Sequence, residues 1–161
     1  MAKRGKSLFS VAAVLSSFFG AAMIAGAFAY FNYKFSEYKF INFKKLTFYE
    51  KSAIFKPNAE KYIVIFYSSK HQKTLNYLQK TKLKLPIIAI DYYNTAQVNT
   101  KGVTFLRSGT KTTLEFIQRF NIYNSPSIFF IKKSKESIYK QDSMIRKLDN
   151  LKELSQQVDN L

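Results

Sequence analysis

Cysteine and tryptophan are both absent from the 161 residues of this chain, and histidine occurs once. Without a thiol there can be no disulfide, no thiolate metal site and no cysteine nucleophile. A single imidazole with no cluster of carboxylates around it makes a poor metal centre, so neither a metal nor a cofactor is expected. Glycine and proline are scarce, at five and three residues. No glycine-rich phosphate loop occurs, and no H-E-x-x-H, G-x-S-x-G or EF-hand pattern. Acidic residues are few as well: 10 Asp and Glu stand against 26 Lys and Arg, a formal charge of +16.

What is present is apolar and basic. Residues of apolar type make up 47% of the chain, which predicts a packed core rather than disorder. The positive excess points to acidic partners such as anionic lipid. The lysines are scattered along the chain instead of gathering with arginine and exposed aromatics into a stripe, which disfavours nucleic acid.

Residues 8–31, LFSVAAVLSSFFGAAMIAGAFAYF, carry no charge. A helix of that length rises about 36 Å, enough to cross a hydrocarbon core of roughly 30 Å with some tilt. Residues 1–7 are basic, with Lys3, Arg4 and Lys6; Tyr30, Tyr33 and Lys34 mark the far interface. The alternative is a secretory signal, for which Ala27, Phe28 and Ala29 offer an A-x-A site. The apolar run exceeds the roughly 7–15 residues of a signal core, which favours an uncleaved single-pass anchor. Ala13, Ser17, Ala21 and Ala25 recur every four residues beside Gly20, a spacing that lets another membrane helix approach closely. The bland alternative is that Ala and Ser are simply common in such helices. The basic N-terminus predicts an inside start, placing the rest on the periplasmic or intermembrane-space side of a bacterial or mitochondrial inner membrane.

Residues 32–59 alternate Phe and Tyr with Lys and Glu and read as a juxtamembrane arm. Its aromatics are too many for a solvated linker, so it lies either on head groups or on the following domain. From residue 60 the pattern becomes regular. YIVIFY (62–67), IIAIDYY (87–93) and SIFFI (127–131) are buried strands. Residues 72–83 form a helix with Leu75, Leu78 and Leu83 on one face, ended by Pro86. Residues 94–109 read as irregular. Thr112 and Glu115 offer a capping box for a second helix with Leu114, Ile117 and Phe120 as its stripe. A short strand at 136–141 pairs in a hairpin, and residues 143–158 make a closing amphipathic helix. The order β-α-β-α-β-β-α predicts a mixed sheet with helices on both faces.

That order, together with FYSSKHQKT (66–74) and NIYNSPSIFFI (121–131), resembles the thioredoxin-like superfamily over residues 60–161. In that family the first of these strands ends in an aromatic pair ahead of a C-x-x-C corner, and a cis proline enters a later strand. The resemblance implies that Pro126 is cis and faces the corner. The paired positions of the corner would be His71 and Thr74, neither of which can perform thiol–disulfide exchange. Ser68, Ser69 and Thr74 at a strand-to-helix junction are read as capping residues, and Asp91 as turn chemistry or one half of an ion pair.

The α/β chain is therefore expected to be non-catalytic: one transmembrane helix followed by a redox-inactive thioredoxin-like domain used for protein docking. An accessory subunit of a multi-subunit inner-membrane complex, respiratory or envelope, fits best, with integral membrane subunits and the bilayer as partners. The alternatives are an anchored assembly factor or chaperone that binds client peptides at the cis-Pro groove, and an electrostatic binder of anionic lipid or nucleic acid.

Overall fold

The computed structural model describes residues 10–80, 83–95 and 97–148. Two compact units divide the chain, one ending at Tyr38 and the next beginning at Lys39.

The first unit is helix α1 (Val11–Glu37). Its N-cap is Ser10, whose hydroxyl oxygen accepts the Ala13 N–H at 3.2 Å. Inside the helix the Ser16 and Ser17 hydroxyls donate to the Ala13 carbonyl at 3.0 and 2.9 Å. Both polar groups are thereby satisfied within the helix, as an apolar surrounding demands. The stretch Val11–Phe35 has a mean hydropathy of 2.0 and none of it is buried. It is long and apolar enough to cross a membrane, a property that anchors share with secretory signals.

The second unit is built on one mixed sheet. Its strands are β1 (Phe40–Asn42), β2 (Tyr49–Glu50), β3 (Ala53–Ile54), β4 (Lys61–Tyr67), β5 (Ile87–Asp91), β6 (Val103–Arg107), β7 (Ser127–Lys135), β8 (Ile138–Gln141) and β9 (Arg146–Lys147). They lie in the order β1-β8-β7-β4-β5-β6-β2-β3, with β9 paired to the start of β7. Strand β4 runs parallel to β5 and antiparallel to β7; β6 runs parallel to β5. Helix α2 (Gln72–Lys80) connects β4 to β5, and α3 (Thr110–Phe120) connects β6 to β7.

The continuous run YIVIFY is buried on both sides because alternate residues enter different cores. Tyr62, Val64 and Phe66 face α3, with Phe116 and Phe120. Ile63, Ile65 and Tyr67 face α2, with Leu75 and Leu78. The sheet centre β8-β7-β4-β5 and the crossovers through α2 and α3 give the domain a thioredoxin-like fold, to which β6 and the β2–β3 pair add an edge.

Several local expectations are revised. The arm is not laid on head groups beyond Lys39: its residues form β1 to β3, and Phe43, Phe48 and Phe55 are buried in the α3-side core. Residues 94–109, expected to be irregular, contain β6. It starts at a tight turn in which Gly102 takes φ +91°, a conformation open mainly to glycine. Helix α2 is described as far as Lys80, and Leu83 is already outside it, so Pro86 is not what ends the helix. Helix α3 begins at Thr110 with Gly109 as N-cap and no side-chain cap, so Thr112 and Glu115 lie within the helix and form no capping box. Glu115 pairs instead with Arg119 one turn on, at 2.6 Å. Leu114 is exposed; the buried face of α3 is Thr113, Phe116 and Phe120. Residues 143–148 form a bend and β9 rather than the first turns of a helix, and the remainder of that expected helix lies outside the described residues.

Candidate functional site

Parallel strands β4 and β5 end side by side, with Tyr67 opposite Asp91. Beyond them the chain turns through residues 68–71 into α2 and through residues 92–95 toward β6. Antiparallel β7 enters at the same end, because Ser127 pairs with Phe66. The Ser125–Pro126 peptide ahead of it is cis. The sheet register thus gathers the 68–71 corner, the 92–95 turn and Pro126 at one end of the domain, the end where open α/β sheets commonly place their ligands.

Asp91 organises this end. It is 1% exposed, and its carboxylate accepts three backbone N–H groups: Ser69 at 2.8 Å, Tyr93 at 3.2 Å and Thr95 at 2.8 Å. Its expected turn role takes this form, with no ion pair among the described residues. The carboxylate braces the corner to the 92–95 turn, and its lone pairs are engaged in doing so. Burial, and after it the Asp91 carboxylate, push the neighbouring Tyr67 phenol above its ordinary pKa.

Asn94 continues the brace. It sits in the left-handed region at φ 56°, which Asn tolerates better than most residues. Its side-chain oxygen accepts the Ser108 N–H at 2.9 Å, and its amide donates to Thr113 Oγ1 at 3.3 Å. Ser108 Oγ lies 2.8 Å from the same Thr113 oxygen. One asparagine therefore ties the end of β5 to the start of α3 across the β6 edge. Beside it opens a cleft of about 370 Å³, lined by Lys51, Arg107, Asn94 and Gly109 among others. The Arg107 guanidinium donates to the Lys51 carbonyl at 2.6 Å, which fixes the cleft wall.

His71 and Thr74 occupy different environments. His71 is exposed just ahead of α2; its backbone N–H donates to the Ser68 carbonyl at 2.9 Å, and its carbonyl accepts the Thr74 N–H at 3.0 Å. Thr74 is buried, at 5% exposure, inside α2. Ser68 Oγ accepts the Lys70 N–H at 3.3 Å, and Ser69 shares a hydroxyl hydrogen bond of 2.9 Å with Thr95. These hydroxyls tie the corner together locally, and none is hydrogen-bonded to the imidazole among the described residues.

Sequence reasoning missed the exposed aromatics. Tyr92 and Tyr93 read as the end of a buried strand, but the sheet stops at Asp91 and leaves them 46% and 47% exposed. Their rings meet edge to face at 5.1 Å, Tyr92 rests on Phe66 at 6.2 Å, and the Lys70 ammonium stands 4.3 Å over the Tyr93 ring. The signal was available in DYYN, an Asp and an Asn flanking the pair as turn formers do.

The edge of β7 nearest Pro126 is occupied. Lys147 and Arg146 pair with Ser127 and Ile128, and the Leu148 N–H donates to the Pro126 carbonyl at 2.9 Å. Leu148 itself is buried in the α2-side core. The small residues Ala13, Ser17, Gly20, Ala21 and Ala25 all lie on α1, exposed along its length.

The fold thus defines the class: a thioredoxin-like domain without cysteine, preceded by one helix long enough to span a membrane. No family model and no curated protein matches the sequence. Among solved structures, the chain is similar to an exposed lipoprotein thioredoxin of Streptococcus pneumoniae at 12% identity and a TM-score of 0.41, covering 63% of this chain and 85% of that one. A conserved protein of unknown function from Bacteroides fragilis is similar at 16% identity and a TM-score of 0.29, covering 54% and 76%. The assignment of fold rests on the strand order and crossovers described above rather than on either likeness.

Proposed function

We propose that this chain is a non-catalytic accessory subunit of a multi-subunit inner-membrane complex, held by α1 and docking through the corner end of its domain. The domain would stand on the periplasmic or intermembrane-space side. One observation carries the reading. The end that a thioredoxin uses for chemistry is kept as architecture, braced by Asp91, yet it holds no thiol and presents an exposed aromatic pair, Tyr92 and Tyr93, packed edge to face with Lys70 over it. Tyrosines that offer apolar area with a polar tip, fixed before binding, suit a permanent protein interface.

The client-peptide alternative is weakened by β9, since the strand edge that a peptide would join beside Pro126 already carries the chain's own residues. The test is the native size of the full chain in mild detergent, with the composition of the co-migrating band. Migration at fixed stoichiometry with integral membrane proteins is expected. Migration alone, or with scattered partners in small amounts, would overturn the proposal.

A further inference from the structure

Three lysines stand in a single row across the sheet. Lys61 on β4 is directly opposite Lys132 on β7, Lys132 is directly opposite Lys140 on β8, and Lys140 is opposite Phe40 on β1. Residues so paired point to the same side of a sheet, with adjacent strands about 5 Å apart. Like charges at that separation oppose folding. Only part of the repulsion is relieved within the domain. Lys61 reaches Asp142 at 2.9 Å and lies over the Phe130 ring, and Lys140 lies over the Phe40 ring at 5.6 Å. Lys132 is exposed and has no ion pair among the described residues, and the nearby Lys39 and Lys45 are likewise exposed without one there. Lys44 is matched by Glu136 at 2.7 Å.

The place of this row matters as much as its charge. Phe40 follows the last residue of α1, Glu37, by three residues, a reach of at most about 11 Å. Covalent connection alone keeps Phe40 within that length of chain from Glu37, with Lys140 one strand and Lys132 two strands further across the sheet. If α1 spans a bilayer, the lysine row is held within range of its head groups, where each added cation strengthens attraction to anionic lipid.

We infer that the β1–β8–β7 edge is a docking surface for anionic phospholipid head groups, with Lys132 and Lys140 as its principal contacts and Phe40 at the interface. The inference rests on the reading of α1 as an uncleaved anchor. It also accounts for a charge row that the fold by itself would disfavour: the counter-charge is supplied by the membrane.

The chain has no tryptophan, so Phe40→Trp in the full-length protein gives a reporter free of background. The variant is reconstituted into vesicles of phosphatidylcholine alone, or of phosphatidylcholine with phosphatidylglycerol, each containing lipid brominated near the head group. Flotation with the neutral vesicles, resistant to alkaline carbonate, reports the anchor separately. Stronger quenching with phosphatidylglycerol, reversed by high salt, is expected. Adding Lys132→Glu and Lys140→Glu should return quenching to the neutral-lipid level. Lys132→Glu alone should raise Tm, because it turns two repulsive cross-strand pairs into attractive ones, so lost quenching could not be ascribed to misfolding. Equal quenching in both lipids, or quenching unchanged by the lysine variants, would overturn the inference while leaving the anchor standing. Failure to float with neutral vesicles would overturn the anchor and the inference together.

Discussion

The two faces of the sheet are packed with different materials. On the α3 side the core is largely aromatic: Phe43, Phe48 and Phe55 from the arm meet Tyr62, Phe66, Phe116, Phe120, Phe129 and Tyr139, mostly edge to face or tilted. On the α2 side it is largely aliphatic, with Ile63, Ile65, Leu75, Leu78, Ile87 and Val103. The difference follows from what covers each face. Helix α2 lays two leucines over branched strand residues, a close fit of small units. The α3 side must be closed by one 11-residue helix and a stretch of chain with little regular structure, and large rings fill such irregular space with few residues. From Lys39 onward the arm is therefore part of the domain: Phe43, Phe48 and Phe55 enter the core, while Lys44, Lys45 and Lys51 face out and Tyr49 stays exposed.

The largest expected effects test that contrast. Phe48→Ala should cost about 3–5 kcal/mol and Leu78→Ala about 2–5 kcal/mol, read from denaturant unfolding of the detergent-solubilised chain. Combination sharpens the comparison. Phe48 and Phe116 touch at 5.8 Å between ring centroids, so their double Ala variant should depart from additivity, whereas Phe48 and Leu78 belong to separate clusters and should add.

Next in size is the brace at the end of the sheet, between the 68–71 corner and the 92–95 turn. Asp91→Ala leaves the Ser69, Tyr93 and Thr95 amides without their acceptor and should cost about 2–3 kcal/mol. The same substitution should raise amide exchange at residues 69, 93 and 95 while sparing the centre of β7.

A smaller effect appears at alkaline pH, where the raised phenols of Tyr139 on the aromatic face and Tyr67 on the other both contribute. Burial pushes the Tyr139 phenol up to about 12, with Tyr62 and Glu60 adding to the shift. Since the folded value lies above the ordinary one, near 10, its contribution is complete below about pH 10 and is lost as pH rises toward 12. Tm measured across that window should fall, and Tyr139→Phe should reduce the slope even though it forfeits the hydrogen bond to the Ala59 carbonyl. The smallest effect is expected at the surface. Lys44 holds the Glu136 carboxyl below its ordinary pKa, but both side chains are solvated, so Glu136→Gln should leave Tm unchanged.

Much of the fold was legible in the sequence. Strands β4, β5 and β7 announce themselves as continuous apolar runs because both faces of the sheet are covered, and α2 shows its leucines at helical spacing. The arm was ambiguous, because Phe and Tyr alternating with Lys look the same whether the rings enter lipid or a protein core; only the sheet partners of β1 and β2 decide. Strand β6 was hidden because five residues between a glycine turn and a polar junction carry too short a pattern. At the candidate site, the missing thiol was evident from composition, and Asp91 as a turn former from its place at a strand end. The exposure of Tyr92 and Tyr93 was not, since apolar character runs on through IIAIDYY while the pairing stops at Asp91.

The central claim is that the corner end is a docking face without chemistry. It is tested most directly by native electrophoresis of the full chain in mild detergent, beside the Tyr92→Ser/Tyr93→Ser variant. Both residues are exposed, so the variant should keep its Tm while losing co-migration with the larger assembly. A variant that stays in the assembly at full stoichiometry would contradict the account.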